Sequence, residues 1–218
     1  MIYSQKEEAE ASLYEFFKQS WHVIEGHTEF VDEWYLEEIA NSLEDCYKRK
    51  IKLLLINLPP RKGKTNLISI AFPAWVWLKN PEEKFICASY TNALALKIAD
   101  KSRMLIKSEW YQNNWGDRFK IRKDQDSKSY FVNDKTGCRI STSAGSFITG
   151  DGASIMIVDD GNDPSGESQA IIDSVNIWWS QKMFNRVNDA RTAVRIMIQQ
   201  RSQSEDDLSG NIIKNDVD

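Results

Sequence analysis

The sequence predicts an α/β fold in which a mainly parallel central sheet is flanked by helices, and three stretches carry that prediction. Leu53 to Ile56, Lys84 to Tyr90 and Ser154 to Asp160 are short apolar runs bounded by turn residues, the pattern of strands buried on both faces. Between them lie longer segments whose apolar residues recur at helical spacing. Strand, helix, strand, helix in this rhythm calls for right-handed crossovers and parallel neighbours.

Two helices precede the first strand. Leu13, Phe16, Phe17, Trp21 and Ile24 share one helical face, Ser12 caps its start with Glu15 three residues on, and Gly26 closes it. A second helix is predicted from Val31 to Tyr47, with Trp34, Leu36, Ile39, Ala40, Leu43 and Tyr47 on an apolar stripe. Core packing is the default role of these residues. Phe30, Trp34 and Tyr35 also offer an aromatic face for an adenine ring.

The stretch Ile51 to Thr65, IKLLLINLPPRKGKT, organises the rest of the chain. Pro59 and Pro60 end the first strand because neither donates to a sheet ladder, and Gly63, Lys64 and Thr65 open a helix. Strand, tight loop and helix starting at Gly-Lys-Thr is the setting in which a P-loop holds phosphates. The loop from Pro60 through Arg61, Lys62 and Gly63 surrounds the anion, the residues after Pro60 with their backbone N–H groups, Lys64 supplies a point charge, and the Thr65 hydroxyl ligates magnesium. The full pattern would place glycine at position 58, where this chain has Leu58, so an exposed basic turn that binds nothing is the competing account of the tripeptide.

After Thr65 the helical period continues to Pro73, which has no N–H for the Ser69 carbonyl and should kink or end the helix. The second strand, KFICASY, leads into a helix from Asn92 to Lys107. Trp110 to Lys128 is polar and turn-rich and reads as an excursion from the sheet. Ser129–Val132 and Cys138–Ser141 flank the turn NDKTG as a hairpin, and glycines 145, 150 and 152 suggest a mobile loop beside the nucleotide site.

Ser154 to Asp160, SIMIVDD, places Asp159 and Asp160 at the C-terminal edge of a strand, where open parallel sheets bind ligands. Beside a P-loop, the first acid holds magnesium through water and the second orients an attacking water. Paired aspartates opening a turn are the bland alternative. A long helix from Ser168 to Asn188 follows, with Ile171, Ile172, Val175, Trp178, Trp179 and Met183 inward. Then comes the strand TAVRIMI, ending at Gln199, Gln200 and Arg201, where a polar side chain can touch a γ-phosphate. EDDLSG, Glu205 to Gly210, suits a helix start or exposed turn rather than a metal site.

Composition bounds the partners. With 218 residues, 41% of them hydrophobic, the chain can bury one substantial core, and no apolar stretch approaches a membrane span. A net charge of −4 argues against coating nucleic acid through bulk charge. Local clusters remain: Lys48, Arg49, Lys50 and Lys52, and Lys120, Arg122, Lys123 and Lys128, both most simply solvated surface. Three separated cysteines without accompanying histidine read as buried thiols, and only two histidines occur, which disfavours histidine-based nucleophilic catalysis.

Taken together, PPRKGKT, FPAWVWLKNPEEKFICASY, the strand ending in Asp-Asp, and IQQRSQSEDDLSG resemble the ATPase domain of the large terminase subunit of tailed bacteriophages, over nearly the whole chain. The resemblance implies an additional-strand P-loop NTPase (ASCE type, related to helicases and translocases), using ATP and magnesium. It implies that Lys64 and Thr65 contact phosphate and magnesium, that Asp159 is the metal-associated acid, and that Asp160 stands where a catalytic glutamate is common. Arg61 matches the arginine of the family's phosphate loop, where it stabilises γ-phosphate charge; Gln200 and Arg201 match a segment that couples hydrolysis to movement. An arginine that reaches a neighbouring subunit has no match, since Thr149 stands before Gly150; Arg139 and Arg103 are substitutes to be tested against structure.

The implied function is a motor that drives double-stranded DNA into a procapsid as a homo-oligomeric ring, with portal protein and small terminase subunit as partners, in the host cytoplasm. The implied organisation is a helical subregion over residues 1–50, an ATPase core over 51–210 and the start of a linker over 211–218, leading to a nuclease domain absent from this sequence. A helicase-like nucleic-acid-dependent ATPase and a nucleotide-binding assembly module without significant turnover are the alternatives.

Overall fold

A computed structural model describes residues 4–146, 152–183, 186–200 and 207–215. Three helices come first, α1 (Gln5–Ala11), α2 (Leu13–Ile24) and α3 (Trp34–Tyr47). Ser12 caps α2 by accepting the Glu15 N–H at 3.4 Å, and Gly26 turns the chain at a φ of +62° that a β-carbon would strain. The start of α3 lies three residues beyond Val31, and Trp34 faces outward, 78% exposed, rather than joining the apolar stripe. Leu36, Ile39, Ala40 and Leu43 do carry the buried side.

Seven strands form one sheet among the described residues: β1 (Leu53–Asn57), β2 (Phe85–Ser89), β3 (Ile121–Asp126), β4 (Tyr130–Asn133), β5 (Cys138–Ser143), β6 (Ile155–Asp159) and β7 (Val194–Gln199). Their order is β1-β7-β6-β2-β5-β4-β3, parallel from β1 to β5 and antiparallel at β4 and β3. This is an α/β fold of P-loop type in which β7 is the additional strand, inserted between β1 and β6. Its position makes β1 an edge strand. Leu53, Leu54 and Leu55 are half-buried and Ile56 is buried, so the apolar run is not covered on both faces as predicted.

Successive side chains of the inner strands alternate between two cores, as the period of two requires. Phe85, Cys87, Ile155, Ile157, Val194, Ile196 and Ile198 face the larger one, shared with α1 to α3 and the helices that follow β1 and β2. Ile86, Ala88, Met156, Val158 and Met197 face the smaller one, closed by α7 (Gln169–Ile177), a π-helical turn (Trp178–Met183) and α8 (Leu208–Asn215). Helix α7 ends as an α-helix at Ile177, well short of the predicted Asn188. Val187 instead bridges Ala153, and Ile171 is 49% exposed rather than inward.

The segment after β1 is π-helical over Asn66–Ala71 and α-helical over Phe72–Lys79 (α4), with Pro73 in the first turn of α4. The change of helix type falls where Pro73 denies Ser69 its α-helical partner. Thr91 caps α5 (Asn92–Lys107) by accepting the Leu94 N–H at 3.2 Å. The polar stretch expected to leave the sheet does not. Ser108 caps α6 (Glu109–Trp115), whose Tyr111 and Trp115 are fully buried against Phe16, and β3 then forms the far edge of the sheet. Arg122, Lys123 and Asp124 stay exposed on that edge strand, which discourages further pairing. Cys46, Cys87 and Cys138 are buried free thiols.

Candidate nucleotide site

The C-terminal ends of β1, β7 and β6 lie side by side, with Asn57 in register with Gln199 and Asp159 with Ile198. The loop leaving β1 passes through exposed Pro60 and Arg61 and turns at Gly63. Arg61 and Gly63 adopt φ of +61° and +74°, left-handed values that glycine takes freely and arginine only under constraint. Helix geometry begins at Lys64, and the Leu67 N–H returns to the Gly63 carbonyl at 3.0 Å. Lys62, also exposed, lies 3.8 Å from Glu33.

Four of the predicted residues converge. Lys64 Nζ, 4% exposed, donates to Asp160 Oδ1 at 3.0 Å. Thr65 Oγ1 donates to Asp159 Oδ1 at 3.2 Å, while Ser69 Oγ donates to Asp159 Oδ2 at 2.7 Å. Asp160 sits at a φ of +50°, the point where the chain leaves β6, and its Oδ1 also accepts the Gln200 N–H at 3.1 Å. Gln200 is therefore placed against the second acid by its backbone, at the end of β7. Arg201, Thr149 and Gly150 lie outside the described residues.

Asp159 is 3% exposed. Burial, with the like charge of Asp160 adding to it, pushes its carboxyl up to about 6 against the hydrogen bonds from Ser69 and Thr65. The raised value means that ionising Asp159 costs folding stability progressively as pH rises from about 4 to about 6, and a bound cation would remove that cost. The donor set of a hydroxyl and a carboxylate is hard oxygen, suited to magnesium, which takes few protein ligands and completes its shell with water and phosphate oxygens.

Beside the loop lies a cavity of about 270 Å³, walled by Trp21, Phe30, Tyr35 and Leu36 and floored by Arg61 to Gly63. Of the three aromatic residues expected to offer a face to an adenine ring, Phe30 and Tyr35 line this cavity and Trp34 points to solvent. Trp21, counted on the core face of α2, also lines the cavity, with its indole N–H donated to the Thr28 carbonyl at 2.7 Å.

Both substitutes for an inter-subunit arginine are held within the chain. Arg139 is 1% exposed, and Arg103 pairs with Asp100 and Asp126 at 3.1 and 2.9 Å. The basic clusters are largely neutralised: Lys48 pairs with Glu44, Arg49 with Glu83, Lys50 with Asp45, Arg122 with Asp124 and Lys128 with Asp100. Sequence reasoning missed Ser69, which lies one turn after Thr65 on the same helix face. It also missed Asn162, whose Oδ1 accepts the Leu208 N–H at 2.9 Å and so fastens α8 to the turn after Asp160.

The sheet thus carries a Lys-Thr pair opposite two aspartates. Among solved structures, the large terminase of bacteriophage HK97 is similar to this chain with a TM-score of 0.61 at 13% identity, over 95% of this chain and 42% of that one. Two structures of the large terminase of a thermophilic bacteriophage also match, one of them in complex with ADP. They have TM-scores of 0.43 and 0.37 and identities of 12% and 13%, each over 84% of this chain and 38% of that one. The chain thus spans less than half the length of the terminases it matches, and the HK97 likeness is one of fold. No protein-family model and no curated protein matches the sequence.

Proposed function

We propose that this chain is the ATPase motor domain of a phage large terminase, coupling magnesium-dependent ATP hydrolysis to the movement of double-stranded DNA into a procapsid. The observation that carries the reading is the meeting of Lys64 and Thr65 with Asp160 and Asp159 across the inserted strand β7. Phosphoryl transfer needs positioning and charge stabilisation more than covalent chemistry, and these groups supply both.

In this reading the triphosphate displaces Asp160 from Lys64 and is cradled by the loop from Pro60 to Thr65. Freed from that pair, Asp160 orients the attacking water, with Gln200 beside it. Thr65 and Asp159 would hold magnesium, which would supply positive charge against the phosphate. Arg61 reaches the γ-phosphate from the exposed side of the loop, and the cavity bounded by Phe30 and Tyr35 takes the base. Assembly with portal protein, small terminase subunit and further copies of the chain as a ring, in the host cytoplasm, belongs to the same proposal, with the isolated domain a monomer. So does the division into a helical subregion (1–50) and a motor core beginning at 51, although α8, packed on that core, runs to Asn215 across the 210/211 boundary where a linker (211–218) was expected. Among the described residues no helix is long and apolar enough to cross a membrane.

Lys64→Ala is expected to abolish ATP turnover and weaken nucleotide binding while leaving the circular dichroism spectrum unchanged. Equal turnover in variant and wild type would sink the proposal. Strand separation independent of capsids would favour the helicase-like reading, and binding without turnover in every assembled state would favour an assembly module.

A further inference from the structure

One buried charge near the site takes no part in the chemistry above. Arg139, on β5, is among the largest fully buried side chains of the chain at 1% exposure. Its Nη1 donates to the Ser69 carbonyl at 2.7 Å, while Nε and Nη2 have no hydrogen-bond partner among the described residues. Burying a guanidinium is costly unless its charge is paired and its donors are bonded. The bond it makes has a clear origin. In an α-helix the Ser69 carbonyl would accept the N–H of residue 73, which is proline. Pro73 cannot donate to that carbonyl, and the guanidinium does.

The same Ser69 is bonded at its other end to the acid of β6. Its Oγ donates to Asp159 Oδ2 at 2.7 Å, one turn beyond Thr65, whose Oγ1 donates to Oδ1 at 3.2 Å. Both carboxylate oxygens are therefore oriented from one helical segment, and that segment is anchored from β5. Arg139, Ser69 and Asp159 also wall a cavity of about 10 Å³, the scale of a single water, which Cys87 lines as well.

We propose that Arg139 and Ser69 form a positioning relay for the metal-binding carboxylate. Arg139 pins the Ser69 turn, Ser69 holds Asp159 by its inner oxygen, and the outer oxygen is left facing Thr65 for the cation of a magnesium–nucleotide complex. The inference rests on the nucleotide reading above. It assigns a function to two residues that touch neither nucleotide nor metal.

The test is binding of a fluorescent ADP analogue to the full chain across a magnesium titration, with a parallel series in EDTA, and manganese resonance spectra as a second readout. Ser69→Ala is expected to raise the magnesium concentration needed for half-maximal binding about tenfold, the usual cost of removing a group that orients a metal ligand. Affinity in EDTA should stay within about twofold of wild type, and Ser69→Thr, which keeps the hydroxyl, should restore the metal response. Arg139→Lys, retaining one donor, should fall between wild type and Ser69→Ala, and the bound-manganese spectrum should broaden in the same order. An unchanged magnesium response in Ser69→Ala overturns the relay, as does an equal loss of affinity with and without metal. If the wild-type chain binds no nucleotide under either condition, the nucleotide reading itself falls and takes the relay with it.

Discussion

Asp160 holds a conformation that few aspartates adopt, and its partners explain why. A φ of +50° costs an ordinary residue roughly 1–3 kcal/mol, offset here by bonds to Lys64 Nζ and the Gln200 N–H. Under the proposed function, an incoming phosphate has to compete with the Asp160 carboxylate for Lys64. Asp160→Asn should therefore bind nucleotide at least as tightly as wild type, while turnover falls on the order of 100-fold or more. Side-by-side measurement of affinity and steady-state hydrolysis checks this. If Asp160→Asn loses magnesium-dependent affinity and Asp159→Asn keeps it, the two acids have exchanged roles. Aspartate is one methylene shorter than glutamate, and the left-handed turn at the end of β6 is the backbone feature that sets where its carboxylate lies.

At the scale of elements, the turn joining β4 and β5 shows how tightly the sheet is locked to its surroundings. Asn133 Nδ2 donates to the Pro81 carbonyl at 2.7 Å, and its Oδ1 accepts the Gly137 N–H at 3.0 Å. A β-carbon on Gly137 would lie 2.0 Å from the Pro81 carbonyl oxygen, a backbone atom with little room to move. Gly137→Ala should cost on the order of 2–4 kcal/mol, read as a lower midpoint in urea at unchanged slope. An unchanged midpoint would mean that the turn relaxes freely. Much of this layer was legible beforehand: Ser12 and the Asn92–Lys107 helix from local signals, β2 and β6 from apolar runs; at Pro73, where a kink or end was expected, the helix instead continues to Lys79 with a change of type. What escaped was non-local. No local pattern tells that β7 inserts beside β1 and leaves it at an edge, or that Tyr111 and Trp115 bury a segment whose sequence looks solvated. Ser69 and Arg139 escaped for the same reason, since their meaning depends on a carbonyl and a carboxylate supplied by other elements.

Across the whole molecule, the sheet separates two unequal cores, and the candidate site sits where the strands that divide them end. Helix α8 is fastened there as well: Ser209 Oγ donates to Asn57 Oδ1 at 2.8 Å and Leu208 packs on Gly161, so the last described helix rests on the ends of β1 and β6. The eight tryptophans are unevenly distributed about this arrangement. Trp75, Trp77, Trp115, Trp178 and Trp179 lie within the cores, Trp110 packs half-buried against Phe16 and Trp115, and Trp34 stands in solvent, whereas Trp21 borders the cavity beside the Arg61–Gly63 turn. That placement gives the protein an optical reporter of its own. Filling the cavity with a purine should quench part of the tryptophan emission in a saturable way, and Trp21→Phe should remove most of the response; an undiminished response in that variant would locate the base elsewhere. Occupancy of the cavity could then be followed by light alone, without attaching a dye to either ligand or chain.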